Sequence, residues 1–282
     1  MNIKQIDIFH LEECVWLAQK WVGVSAYDFS FEPLFRCRRP YQIPPGRELI
    51  CRVGAFENYE DSYSELKKIG FALINNVEEH FRASELSQWY PLIEGDTPRS
   101  ICYDKIPDVL DIERDFDYPV FIKGSRQTAK HSKNLSVAKN RDECRSILKE
   151  YQRHPILHWQ QLVCREFVDL RAVEAASTEK VSPSYEFRSF WYKGKLVGVG
   201  HYWSEFVKYS WSESEKAEAL ALAKKVSDTV KVPFLVIDLA QTLDGRWIVI
   251  ECNDGQESGY AGVEPIQLWN NVLKAEHQTD EV

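Results

Sequence analysis

The stretch FLVIDLAQTLDGRWIVIECN, residues 234–253, decides the fold. Two apolar runs flank Asp244-Gly245, the strongest short-range signal for a two-residue β-hairpin turn. With those two residues as the turn, Leu243 pairs with Arg246, and counting outward sets Asp238 directly opposite Glu251. Side chains alternate along a strand, so Asn253 shares a face with Glu251. Two opposed carboxylates repel. A hard cation with oxygen ligands removes that cost, and Mg²⁺ held through carboxylates and substrate phosphates fits best. Asp238, Glu251 and Asn253 are therefore the candidate metal ligands. Ile237, Leu239, Ile250 and Cys252 face the other way, as core. The competing reading is a solvated hairpin face, and a one-residue change of turn register would separate the two carboxylates.

The chain has 282 residues, enough for one large domain or two to three small ones. A net charge of −8 argues against nucleic-acid binding through a generally basic surface. The start, MNIKQIDIFHLEE, carries no signal-peptide apolar region, and no apolar run is long enough to span a bilayer. The seven cysteines are scattered and form no Cys-x-x-Cys pair. A reducing, cytoplasmic location is expected, with no structural zinc site.

Outside the hairpin, residues 11–22 read as a helix, with Leu11, Val15, Trp16 and Val22 among polar positions. LICRV and FALIN read as strands, with a helix at about 60–69 between them. PVFIK (119–123) is a strand ending at Lys123, before the polar loop GSRQTAKHSKN. A helix is expected at about 141–151 and a buried strand over 157–170. A second hairpin over 185–203 turns at Lys193-Gly194. Ser212 and Glu215 form a capping box for a helix running to about 230, and a last helix covers IQLWNNVLKA.

Three further features carry chemistry. Lys123, at the foot of a flexible polar loop, suits phosphate binding, although a lone strand-terminal Lys more often reaches out to water. Arg165 interrupts the apolar run LVCREFV; buried, it needs a bidentate anion, and on an edge strand it would face solvent. In the Lys193-Gly194 hairpin, the turn register sets Arg188 opposite Val199 and Glu186 opposite His201. Glu186, Arg188 and His201 then share one face. No Walker-type P-loop and no Gly-x-Gly-x-x-Gly motif occurs.

Taken in order, VFIKGS, LVCREFVDL, YEFRSFWYKGKLVGVGHYW and FLVIDLAQTLDGRWIVIECND resemble the ATP-grasp superfamily. The nearest likeness is to a divergent clade defined by two Arg and one Lys, whose eukaryotic member assembles translation initiation factor 2. The resemblance covers about 117–263. It implies an α+β ATP-grasp fold, in which two α+β lobes clamp ATP, preceded by a smaller α/β domain. The expected limits are 1–116 for the N-terminal domain and 117–275 for the ATP-grasp domain. The latter divides into a small lobe at 117–160 and a large lobe at 161–275, and 276–282 form a tail. It further implies that Lys123, with Lys133 as a second choice, contacts ATP phosphates. Glu166, Phe167 and Val168 would form the adenine hinge, and Asp169 would reach the ribose. Arg165 and Arg188 would be catalytic, and Asp238, Glu251 and Asn253 would hold Mg²⁺. One departure stands out: where the eukaryotic pattern has an acid followed by Asn-Pro, this chain has Glu251-Cys252-Asn253-Asp254-Gly255.

The implied activity is an Mg-ATP-dependent carboxylate–amine ligase working through an acyl-phosphate. Its partners would be nucleotide, a carboxylate and an amine, which a small molecule, a peptide or a protein could carry, with no membrane or nucleic-acid partner. The alternative is an ATP-binding assembly factor that clamps a protein partner without ligation.

Overall fold

The computed structural model describes residues 8–11, 15–18, 37–38, 48–52, 58–68, 70, 72–126, 136–154, 157–173 and 183–277. The first sheet contains β1 (Ile8–Leu11), β2 (Val15–Ala18), β3 (Cys37–Arg38), β4 (Glu48–Cys51) and β5 (Ala72–Leu73), in the order β3-β1-β2-β4-β5. Where a helix is expected over 11–22, the described residues Leu11 and Val15–Ala18 are strand instead, with Leu11 paired antiparallel to Val15. Ile8–Leu11 (IFHL) and Val15–Ala18 (VWLA) are short apolar runs rich in β-branched and aromatic residues, and their strand propensity and pairing decide the structure over the three-to-four spacing. Helix α1 (Tyr59–Lys68) precedes β5, and α2 (Val77–Ser84) and α3 (Leu86–Ile93) follow it. Asn76 and Glu79 close a reciprocal capping box that starts α2.

The second sheet has the order β6-β9-β7-β8, with β6 (Ser100–Tyr103), β7 (Val120–Gly124), β8 (Val137–Ala138) and β9 (Leu162–Glu166). It takes one strand from before residue 117 and its central strand from after residue 160. Helices α4 (Val109–Asp115) and α5 (Arg141–Tyr151) close its core around Ile112, Ile122, Ile147 and Cys164. The strand expected over 157–170 is shorter, because 157–160 form a turn.

The third sheet is antiparallel, in the order β11-β10-β12-β13, with β10 (Glu186–Tyr192), β11 (Lys195–His201), β12 (Phe234–Gln241) and β13 (Trp247–Asp254). One face packs Leu235, Ile237, Leu239, Val249 and Cys252 on α6 (Glu213–Val230) and on Leu86 and Trp89 of α3. The other packs Phe190, Phe234 and Val236 on α7 (Pro265–His277) and on Ile50 and Ile74. Burial on both faces explains why β12 is apolar almost throughout. α6 starts at the Ser212–Glu215 capping box, as its sequence predicts.

Both hairpins of this sheet contain a bulge, and the two bulges have opposite consequences. At the first turn, Lys193 and Gly194 both have positive φ (47° and 75°), as a two-residue turn of this twist requires. Tyr192 pairs with Lys195 as expected, but the register slips between Phe190 and Trp191. Arg188 therefore faces Gly200 rather than Val199, and Phe187 pairs with His201. His201 does not share the face of Glu186 and Arg188; its ring lies 5.2 Å from that of Phe187. At the second turn the loop has three residues, Leu243 to Gly245, with Gly245 at φ 89°. Thr242, not Leu243, bonds Arg246, a one-residue departure from the expected register. A bulge between Asp238 and Leu239 cancels it, leaving Ile250 as the extra residue. Asp238 thus still opposes Glu251, while Val249 takes the core place expected for Ile250.

Candidate functional site

The site forms where the second and third sheets meet. Asp238 is fully buried on β12, and Arg188 reaches it from β10 as a two-pronged fork. Nε donates to Oδ1 at 2.8 Å and one terminal nitrogen donates to Oδ2 at 2.7 Å. The other terminal nitrogen of Arg188 donates to the Gly259 carbonyl at 2.8 Å. The Tyr202 ring covers the guanidinium at 5.0 Å. Burial alone would lower the Arg188 pKa, but the Asp238 charge and its two hydrogen bonds outweigh it and hold Arg188 firmly charged.

Glu251, opposite Asp238, has a different partner. Lys123 arrives from β7 of the second sheet, only 3% exposed, and its Nζ pairs with Glu251 Oε1. Asn253 Nδ2 donates to the other carboxylate oxygen at 3.2 Å. Burial would raise the Glu251 pKa, yet Lys123 and Asn253 hold it below the usual carboxylate range. The Lys123 ammonium does not reach out to water. The repulsion that called for a metal is offset here by two side-chain cations, one for each carboxylate. The oxygen-rich set of Glu251, Asn253 and Asp238 still suits a hard cation. Glu251 and Asn253 are the more available ligands, because both Asp238 oxygens sit in the Arg188 fork.

Arg165 lies on the central strand β9, not on an edge, and is 4% exposed. Its donors go to neutral acceptors: Ser100 Oγ at 2.8 Å, Ile250 O at 2.6 Å and Thr97 Oγ1 at 3.4 Å. The bidentate anion expected for it is not among its partners. Burial lowers its pKa to about 10, against the pull of Glu251. The carbonyl it grips belongs to the extra residue of the β13 bulge, so Arg165 fixes the irregularity that aligns Glu251 with Asp238.

Glu166, Phe167 and Asp169 are exposed and Val168 half-buried, on the connection from β9 to the third sheet. The Asp169 carbonyl accepts from Leu243, and Leu170 bridges Thr242. The segment therefore runs from the second sheet to the β12–β13 turn of the third. Lys133 lies outside the described residues.

Glu186 shares the face of Arg188 and Asp238. Its carboxylate accepts from Trp203 Nε1 at 3.0 Å and Ser184 Oγ at 3.1 Å. Burial and the nearby Asp238 charge push it up to about 8. Elsewhere in the site Thr97 and Ser100 accept from Arg165, and His80 pairs with Asp254, the neighbour of Asn253; none of the three carries a motif that would single it out in the sequence.

A family model for an ATP-grasp domain matches residues 102–272; it describes family 3 of the clade named for two arginines and one lysine. The fold resembles the D-alanine–D-alanine ligase of Bacillus anthracis complexed with ATP, at 13% identity and a TM-score of 0.59. That likeness covers 83% of this chain and 79% of the ligase. It also resembles a RimK domain protein ATP-grasp from Sphaerobacter thermophilus, at 12% identity and 0.57, over 82% and 81% of the two chains. The VanG D-Ala:D-Ser ligase of Enterococcus faecalis gives 12% and 0.57, over 80% and 71%. No curated protein sequence matches the chain significantly.

Proposed function

Because the chain belongs to family 3 of the two-arginine, one-lysine clade of ATP-grasp domains, with more than half of its length matching, we propose that it is an Mg-ATP-dependent carboxylate–amine ligase. One observation carries this reading: Lys123 from one sheet meets Glu251 from the other, directly across from the Arg188–Asp238 pair. Four charges buried in a seam between two lobes cost desolvation energy that a purely structural seam would avoid.

The roles follow from chemistry. Lys123 and Glu251 neutralise each other until charged groups arrive from outside. Lys123 would then turn to the phosphates of ATP, and Glu251, Asn253 and Asp238 would hold Mg²⁺. Bound Mg²⁺ supplies charge neutralisation on the phosphates during transfer. Arg188, held rigid by Asp238 and the Gly259 carbonyl, presents its positive charge to the phosphoryl group in transfer. Arg165 acts through the β13 bulge as a positioning residue. The backbone of Glu166, Phe167 and Val168 takes the adenine, and Asp169 reaches the ribose. The fold likeness to two amino-acid ligases is consistent with an amide-forming reaction.

Two measurements test this reading. Calorimetry should give Mg-ATP binding that Glu251→Gln weakens. Phosphate release should then appear across a panel of carboxylates and amines, including peptides. Absence of ATP binding overturns the reading. Binding without release across carboxylate–amine pairs points instead to an ATP-dependent clamp on a protein partner.

A further inference from the structure

The apolar run LICRV carries an arginine, Arg52, that takes no part in the four-charge seam. Ile50, on β4, is buried in one core with Phe190, Phe234 and Trp269. Arg52 lies two residues on, so its side chain emerges on the same side. It is 1% exposed, with its guanidinium 5.0 Å from the centre of the Tyr260 ring and 5.8 Å from that of Trp269. A guanidinium taken so far from water must find acceptors in the protein. One terminal nitrogen donates to the Gly255 carbonyl, and the other donates to the Ser258 carbonyl at 2.8 Å.

Those carbonyls belong to the loop that leaves β13 just after Asn253. The next carbonyl along, that of Gly259, accepts from Arg188 at 2.8 Å. Neighbouring carbonyls of one loop are thus held by two buried arginines, one from the first sheet and one from the third. The start of the loop is pinned as well. Asp254 Oδ1 accepts from Asn75 Nδ2 at 2.8 Å, its Oδ2 lies 3.0 Å from His80 Nδ1, and its backbone nitrogen donates to Ser84 Oγ at 3.3 Å. Gly259 differs from these neighbours. A Cβ built on it would meet nothing within 4 Å, so no packing against a side chain fixes its place. Arg52 touches the residues on both flanks of Gly259, the Ser258 carbonyl and the Tyr260 ring. Arg52, Asn75, His80 and Ser84 all precede residue 102, where the match to the family model begins.

We propose that Arg52 is a positioning residue for Arg188. By holding both neighbours of Gly259, it sets the carbonyl that directs one terminal nitrogen of Arg188, while Asp238 takes Nε and the other terminal nitrogen. A planar fork suits the task, because donors at a fixed spacing hold two carbonyls at a fixed spacing. The first sheet thereby sets the aim of the charge offered to the phosphoryl group. That purpose rests on the ligase reading, whereas the chain of contacts does not.

The test follows the Arg188 guanidinium N–H signals by NMR in the full chain, assigned by their loss in Arg188→Lys. Arg52→Met keeps an apolar side chain against the two rings and removes both donors. The Arg188 N–H that bonds Gly259 should then exchange with solvent at least about tenfold faster, as expected when a hydrogen bond to a charged group is lost. Ile147→Val, in the core of the second sheet, lowers stability without touching the loop and should leave that exchange unchanged. Wild-type exchange in Arg52→Met would make Arg52 a packing residue only and overturn the proposal. Equal acceleration in Arg52→Met and Ile147→Val would mean general loosening and overturn it too. Should Arg52→Met not fold, the milder Arg52→Gln decides by the same signal: faster exchange supports the role and wild-type exchange overturns it. Mg-ATP calorimetry on wild type separates the two readings. ATP binding with unchanged Arg188 exchange in the variant sinks the positioning role alone, and faster exchange without ATP binding sinks the ligase reading alone.

Discussion

Asp238 and Glu251 are direct cross-strand partners, yet each carboxylate is neutralised by a cation from a different strand, Arg188 from β10 and Lys123 from β7. The first pair lies within one sheet. The second ties two sheets together, so the two pairs have different duties.

Lys123→Met removes the cation and leaves Glu251 uncompensated. Breaking such a largely buried pair costs about 3 kcal/mol or more, whereas removing both charges together can be nearly neutral. Chemical denaturation should therefore show Lys123→Met clearly destabilised and Lys123→Met/Glu251→Gln close to wild type. Mg-ATP affinity should fall at least about tenfold in both, ~1.4 kcal/mol. A double variant that regains both stability and ATP affinity would remove Lys123 from nucleotide binding.

Arg188→Lys keeps the charge but loses the fork, since an ammonium cannot bond two carboxylate oxygens and the Gly259 carbonyl in the same plane. If Arg188 acts on the phosphoryl group in transfer, turnover should fall by about 10²–10³, with a smaller loss of ATP affinity. Equal proportional losses in turnover and affinity would favour the clamp.

Much of this was legible in the sequence, and the rest was hidden for physical reasons. Asp244-Gly245 marks the turn, and Asp238, Glu251 and Asn253 fall together. That outcome needed the Ile250 bulge to cancel a three-residue turn. The same kind of irregularity at Phe190–Trp191 moved His201 to the other face. A bulge adds a residue without leaving a composition signal, so face assignments beyond it cannot be counted from a turn. Lys123 and Arg165 stood out as charges within apolar runs, but their partners, Glu251 and the Ile250 carbonyl, lie more than 80 residues away.

Glu186 should make stability depend on pH. Its folded-state pKa is raised from the ordinary 4.5 to about 8 by burial and by the Asp238 charge. A carboxyl so raised takes up a proton on folding throughout that interval, so stability falls as pH rises across it. The full contribution is present below about pH 4.5 and is lost by about pH 8. Glu186→Gln lacks this proton uptake, so wild type should lose stability relative to the variant as pH rises from about 5 to about 8. Parallel stability curves over that range would show Glu186 ionised at neutral pH.

Gly200 pairs with Arg188, and the 259–263 loop lies against it. A Cβ built at Gly200 would come within 2.3 Å of the Val263 nitrogen and 2.4 Å of the Gly262 carbonyl carbon. Backbone cannot yield as a side-chain tip can, so Gly200→Ala must push the loop away, at about 1–3 kcal/mol. The same movement would withdraw the Gly259 carbonyl from Arg188. Gly200→Ala should therefore show both a lower Tm and reduced turnover. An unchanged Tm would mean that the loop does not pack on β11 as described.

The last prediction concerns Arg165, the guanidinium whose acceptors are all neutral. If it contacted phosphate directly, its removal would weaken ATP binding. Its donors are instead taken by Ser100, Thr97 and the Ile250 carbonyl, and the last of these is the bulge that aligns Glu251 with Asp238. Arg165→Met fills a similar volume and removes a buried charge that has no hydrogen-bonded carboxylate, so the stability change should be small, within about 1.5 kcal/mol. The bulge would lose its anchor, and misplacing a catalytic group by about 1 Å can cost on the order of 10² in rate. Mg-ATP affinity should stay within about threefold of wild type, below ~1 kcal/mol, while phosphate release falls much further. A crystal structure of the variant should show Glu251 displaced from Asp238. Loss of ATP affinity with the bulge intact would return Arg165 to the nucleotide phosphates.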